Sequence, residues 1–161
     1  MAGSDIQVIL VKGDGAGVLG RVAPGVFDNE VDPILVREFL EDRRHHLVVA
    51  LSGEWVVGMA SAVHYVHPDK PAELWINEIG VAESYRGRGI GQRLLQALLA
   101  RGSEVGCGSA WVLTEEGNDG AVGLYEGAGG KRANPDPVMF EFRLGDGCGA
   151  HGFDPEARPI T

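Results

Sequence analysis

An apolar run ending Ile79-Gly80-Val81 passes through Tyr85-Arg86-Gly87-Arg88-Gly89-Ile90-Gly91 into a segment whose Ile90, Leu94, Leu95, Leu98 and Leu99 recur on one helical face. No other stretch restricts the fold so tightly. A strand, a turn of glycines and arginines, and a helix must succeed one another directly, which places the chain among folds that mix strands with helices. The turn also has a chemistry. Glycines let the backbone approach a ligand, converging amide hydrogens and the helix dipole favour an anion, and Arg86 and Arg88 add full positive charge. A pyrophosphate suits such a turn; a glycine-rich surface turn with no ligand is the competing reading.

The other segments arrange themselves around this junction. The run Ile6-Gln7-Val8-Ile9-Leu10-Val11 reads as a first strand closed by a turn at Lys12-Gly13-Asp14-Gly15. Asp32-Pro33 supplies an N-cap acid and a first-position proline, and Leu35/Phe39 and Val36/Leu40 carry the helix to about Arg44. Two strands, from His46 and from Trp55, flank Ser52-Gly53-Glu54 as a hairpin. After Pro68 to Pro71, residues 73–81 resume as a strand in which Leu74, Ile76 and Glu78 are expected to share one face at period two. Ala110 to Thr114 reads as a strand, Ala121 to Ala128 as a short helix, and Val138 to Leu144 as a last alternating strand. The expectation is a mixed α/β sheet of six to seven strands with helices on both faces.

The 161 residues suit a single domain, read as 1–144, with a Gly- and Pro-rich tail at 145–161. The 25 glycines keep no period, which excludes collagen-like and repeat architectures. With 14 Lys+Arg against 23 Asp+Glu the net charge is -9, which argues against nucleic acid or an anionic membrane and for a cationic partner. Cys107 and Cys148 have no CxxC spacing, and the start of the chain carries no basic region leading into an apolar run, so a reducing cytoplasm with free thiols is expected. No metal-ligand spacing emerges. His64 and His67 would point to opposite sides of a continuing strand, and His45, His46 and His151 read as ordinary histidines.

Arg86-x-x-Gly89-x-Gly91 between that strand and the leucine-striped helix resembles the acyl-CoA signature of the GNAT family of N-acetyltransferases. Asn118-x-x-Ala121-x-x-Leu124-Tyr125 with Gly129 beyond it resembles that family's more C-terminal motif, with Gly130 where the family usually has a bulky aromatic. The likeness covers roughly residues 45–144. It implies acetyl-CoA in a cleft where the strands near residues 73–82 and 110–115 splay apart. Pantetheine would bond to backbone near Ile79 and Val81, and pyrophosphate to the amides of Arg86, Gly87, Arg88, Gly89, Ile90 and Gly91, with Asn118 also on the cofactor side. No metal is implied, and a homodimer is. More narrowly, Tyr65-Val66-His67-Pro68, the strand acid, and the stretch from Glu115 to Tyr125 look like the type I aminoglycoside 3-N-acetyltransferases. In those enzymes a strand acid is the base and acidic side chains surround a polyamine sugar. Here Glu78 stands for an aspartate, Asn77 for a tyrosine, and Asn118 and Gly120 for an Asp and a Pro.

Proton bookkeeping leads to the same residues. An alkylamine with a pKa near ~10 must lose a proton before it attacks a thioester. Glu78 is the candidate base, with a carboxylate paired to a nearby arginine as the alternative. Tyr125 is the candidate donor to the departing thiolate, with a purely packed tyrosine as the alternative. Glu115, Glu116 and Asp119, with Asp28, Glu30 and Asp32, are candidates to line a site for a small cationic amine, or simply form a solvated acidic surface. An aminoglycoside is the expected acceptor; another polyamine or a protein amino group is the runner-up. Two other classes stay open. Gly15-x-Gly17-x-x-Gly20 after the first strand formally matches a dinucleotide fingerprint, and an acyl-CoA sensor without turnover would share the fold.

Overall fold

The computed structural model describes residues 5–134, 136–140 and 142. They fall into two compact units that part between Thr114 and Glu115. The first unit is built on one sheet of five strands in chain order: β1 Ile6–Val11, β2 His45–Ser52, β3 Trp55–Tyr65, β4 Glu73–Val81 and β5 Ser109–Val112. All neighbours run antiparallel except β4 and β5, which are parallel. Helix α1 (Pro33–Glu41) and a 3-10 stretch at Gly13–Gly20 lie on one face, and α2 (Ile90–Glu104) covers the other.

Each element has a local cause. The Asp32 carboxylate caps α1 by accepting from the Ile34 amide at 2.7 Å. The helix stops at Glu41 rather than Arg44 because Asp42 turns to accept both the Arg44 amide at 2.9 Å and its guanidinium at 2.7 Å, an arrangement that competes with a further helical turn. That pairing holds the Asp42 carboxyl well below the usual carboxylate range. The hairpin between β2 and β3 turns at Gly53, whose φ of 60° is left-handed. On the α1 side Leu47, Val49, Val56 and Met59 pack with Val11, Leu19 and Val26. On the other side α2 buries Ile90, Leu94, Leu95 and Leu98, with Leu99 half-buried at the rim.

Three expectations change. The glycine-rich segment after β1 is a 3-10 helix and not an open turn. Because β1 pairs antiparallel with β2, Gly15, Gly17 and Gly20 open no parallel β-α-β crossover of the kind a dinucleotide needs. The sheet has five strands among the described residues instead of six to seven. Of the expected last strand, Val138, Met139, Phe140 and Phe142 are exposed and pair with no strand among the described residues, so their alternation finds no ladder there. Glu141, Arg143, Leu144 and the tail from Gly145, with Cys148 and His151, lie outside the described residues.

The third change concerns β4. Ser61 pairs with Glu78 but Ala62 pairs with Ile76, so Asn77 is an extra residue bulged out of the ladder. Leu74 and Ile76 are buried beneath α2, where Leu74 meets Gly102. One residue of slip reverses the parity of every later position on the strand. Glu78 therefore does not share the face of Leu74 and Ile76. It shares that of Gly80, which lies so close under Val26 that an added Cβ would collide with the Val26 carbonyl oxygen.

The second unit holds α3 (Asp119–Gly127). The Asn118 side chain caps it by accepting from the Ala121 amide at 3.1 Å. At its end Gly129 has a φ of 88°, and the Gly130 amide donates to the Tyr125 carbonyl at 2.9 Å, where any Cβ on Gly130 would press on that oxygen. The close approach explains a glycine at position 130.

Candidate active site

Beyond Ile76, β4 has a strand partner on one edge only. β5 pairs with residues 73–76 and ends at Val112, while β3 accompanies β4 through Val81. One edge of the backbone from Asn77 to Val81 thus borders a fork between two parallel strands, where the backbone groups turned away from β3, the Val81 carbonyl bound by Arg86 excepted, have no strand partner. Both Ile79 and Val81, the expected pantetheine contacts, lie along it.

The fork leads to the turn of glycines and arginines at Arg86 to Gly91. Gly87 and Gly89 sit at φ of 72° and 73°, a region that side chains disfavour, and open space lies where a Cβ would stand at either. The first bond at the start of α2 runs from the Arg93 amide to the Gly89 carbonyl. The amides of Ile90, Gly91 and Gln92 ahead of it have no helical acceptor behind them and carry the positive end of the helix dipole. Arg86 and Arg88 are anchored at this mouth: Arg86 Nε donates to the Val81 carbonyl at 3.1 Å, Arg88 donates to the Ser84 carbonyl at 2.9 Å, and the Arg88 guanidinium lies 5.0 Å over the Tyr85 ring. Both side chains remain exposed. The group of bare amides, open glycines and held cations fits a CoA pyrophosphate.

Glu78 stands beside the fork, half-buried. Burial, and then the negative charge of Asp28 in the loop before α1, push its carboxyl above the usual value. Among the described residues no arginine contributes to that shift, so the alternative of a carboxylate neutralised by a cation does not describe it. A carboxyl raised in this way is better matched to take a proton near neutral pH. Next to this loop is a cavity of about 580 Å³ whose walls include Phe27, Asn29, Glu30 and Val36.

Two rungs along the same face the strands carry a group of side chains that sequence reading did not assemble. Val63 pairs with Trp75, Tyr65 with Glu73, and Trp75 with Trp111. The two indoles stack at 4.9 Å between centroids and 10° between planes. Trp111 Nε1 donates to the Tyr65 hydroxyl at 2.8 Å, and that hydroxyl donates to Glu73 at 2.8 Å. Lys70 lies 3.3 Å and His67 3.4 Å from the same carboxylate, and the Tyr65 hydroxyl first, then Lys70, hold it below its usual value. The signal available in the sequence was that Trp75 and Trp111 open two strands destined to be neighbours, but only the register makes them one feature.

The remaining histidines separate. His46 is 3 % exposed, stacks on His64 and lies 2.8 Å from its Nδ1, with Arg101 donating to its other nitrogen at 3.4 Å. Burial, with His64 and Arg101 adding to it, pushes His46 down to about 4. His67 points instead to Tyr65 and Glu73.

In the second unit Tyr125 is half-buried on α3, and burial raises its phenol above the ordinary value, so it holds its proton at neutral pH. Glu116 is bound by Arg132 through both oxygens at 2.8 and 2.9 Å, and Arg132 also reaches Glu126 at 3.0 Å. Glu115 and Asp119 are exposed, Asp119 in the first turn of α3.

Comparison with known proteins gives the family of the chain. The chain is 36 % identical over 109 residues to the N-alpha-acetyltransferase RimI of Mycobacterium tuberculosis, a match covering 66 % of this chain and 65 % of RimI. The chain thus spans just under two thirds of that relative's length. An aminoglycoside acetyltransferase from an uncultured soil metagenomic sample, solved with trehalose, superposes with a TM-score of 0.74 at 18 % identity, covering 87 % of this chain and 97 % of the other. An aminoglycoside N-acetyltransferase solved in complex with CoA superposes with a TM-score of 0.69 at 21 % identity over 88 % of this chain and 96 % of the other. At such identities the likeness is one of fold. The model of the acetyltransferase (GNAT) family matches residues 21–129, more than half of the chain, and this chain belongs to that family.

Proposed function

We propose that the chain is an acetyl-CoA-dependent N-acetyltransferase acting on a primary amine of a small, multiply cationic acceptor, with an aminoglycoside, acetylated at its 3-amino group, as the expected substrate. The observation that carries this reading is Glu78: a half-buried carboxyl without a cationic partner among the described residues, facing Asp28, on the strand that borders the fork. Acetyl-CoA supplies an activated thioester when bound. The chain's residues do the rest. The amides of Gly87 to Gly91 and the cations of Arg86 and Arg88 hold the pyrophosphate, and the free edge at Ile79 and Val81 orients the pantetheine arm. Glu78 removes the ammonium proton, directly or through a water, and Asp28 adds a second negative charge that draws a cation to it. The family resemblance gives Tyr125, whose phenol burial keeps protonated at neutral pH, the role of donor to the departing sulfur. The resemblance assigns Asn118, which caps α3, to the cofactor side and Glu115, Glu116 and Asp119 to the acceptor, with Glu116 sharing its charge with Arg132.

A second reading has an observation of its own, the 36 % identity to an N-alpha-acetyltransferase, which favours a protein's terminal amine as acceptor. Thiol release from acetyl-CoA measured across a 4,6-linked aminoglycoside, spermidine and N-terminal and lysine peptides separates the two. One acetyl added to the aminoglycoside, with peptides unmodified by mass, is the expected result. Acetylation of the N-terminal peptide alone replaces the aminoglycoside reading by the second, and acetyl-CoA binding without product from any amine defeats both.

A further inference from the structure

We infer that the stacked indoles of Trp75 and Trp111 form a specificity wall for the acceptor, taking an amine-bearing ring next to the amine presented to Glu78. The inference rests on the proposed acetyl transfer and adds which part of the substrate is selected.

Four observations converge. First, the place: Glu78 and Trp75 lie on one face, opposite Ser61 and Val63, which are two residues apart on β3. Two strand residues span about 7 Å, about the width of a sugar ring, so one acceptor can lay a ring on the indoles while presenting an amine to Glu78. Second, the fork opens immediately past these indoles, since Trp75–Trp111 is the last rung but one before β5 ends. Third, the indoles are open to solvent, Trp75 by 39 % and Trp111 by 37 %, although their combined apolar area would be expected to hide. Fourth, they are fixed. The relay from Trp111 through the Tyr65 hydroxyl to Glu73, backed by Lys70 and His67, immobilises an outward-facing pair that packing alone leaves free. A surface already held in its binding geometry loses little entropy when a ligand lands on it.

The electrostatics select the occupant. Glu73 is already matched by its neighbours, so no free carboxylate stands at the wall, and what remains is the negative face of the indole rings. Such a face attracts an ammonium group and the polarised C–H bonds of a sugar ring beyond what apolar contact alone gives, and disfavours an acidic ligand. With Glu78 and Asp28 beside it, the face forms the uncharged half of a cation-selective site.

The chain has three tryptophans, and Trp55 is in the distant β2–β3 hairpin, so a Trp55→Phe protein reports on this pair alone. A 4,6-linked aminoglycoside should change its emission saturably, and spermidine, which has no ring, should do so much less. In steady-state assays Trp75→Ala and Trp111→Ala should each raise the aminoglycoside KM about tenfold, the size of a partly desolvated cation–π contact, with kcat and the KM for acetyl-CoA within about twofold. Trp111→Phe should recover most of the loss. Unchanged aminoglycoside KM in folded alanine variants, or emission indifferent to the ligand, overturns the wall while leaving acetyl transfer standing. Saturable emission changes with no amine acetylated would keep the wall and defeat the transfer reading.

Discussion

The two ends of β4 carry one glutamate each on the same face of the sheet, and they are treated in opposite ways. At the start, β3 and β5 flank the strand on both edges, and Glu73 accepts from Tyr65 and Lys70 with His67 close by. At the end, one edge is bare, and Glu78 has a negative neighbour in place of a positive one. The same side chain is held below its usual proton affinity at one end and above it at the other. Pairing commits the charge of Glu73 to structure; isolation keeps Glu78 available for a proton. The backbone shows the same division, with ladders on both edges at the structural end and a strand partner on one edge only at the other.

The most severe way to break the contrast is Glu78→Gln, which removes the base and keeps the shape. Turnover should fall about 10²–10³-fold while the KM for acetyl-CoA stays within about twofold, measured by thiol release. Next is Gly80→Ala, where the new methyl meets the Val26 carbonyl. Displacing that loop should cost on the order of 3 kcal/mol in urea denaturation and also lower activity, because Asp28 moves with Val26. Asp28→Asn sharpens the comparison more gently. Activity requires Glu78 ionised, so the acid limb of kcat/KM lies above the ordinary carboxylate range; removing a neighbouring negative charge eases ionisation and shifts that limb to lower pH. The smallest effect is expected from Glu73→Gln. The folded state depresses this group, so its contribution is present above the unfolded carboxylate value and is lost as pH falls through the folded one. Tm should drop slightly at pH 7, the difference should vanish in acid, and kcat should hold.

Much of the framework was legible because its signals are local. Asp32-Pro33 announces a capped helix, the spacing of Ile90, Leu94, Leu95 and Leu98 announces α2, and Gly53 marks the hairpin, each within a few residues. The turn from Arg86 to Gly91 was legible for the same reason. What escaped depends on partners distant in sequence. Period two assigns Glu78 to the face of Leu74 and Ile76, and only the ladder with β3 shows Asn77 to be surplus. The end of α1 was set by an Asp42–Arg44 clamp that competes with a good helical pattern. Trp75, Trp111 and Tyr65 come from three strands, and nothing in any single segment announces them. The Gly13–Gly20 stretch reads as loose chain because glycine suppresses every propensity that would mark it.

The bulge at Asn77 makes β4 two short strands written in different alphabets. Before it, even-numbered positions belong to the oily layer under α2 and odd-numbered ones to the open face; after it, the assignments exchange. A deletion of Asn77 would therefore remove the surplus residue and leave Glu78 opposite Ser61 and Ile79 opposite Ala60, whereas a deletion of Trp75 would turn Ile76 to the open face and draw Asn77 under α2. Tolerance to deletion, ordinarily a property of loops, thus has a maximum in the middle of a strand, and a library of single-residue deletions across 73–81 would be expected to retain activity best at Asn77.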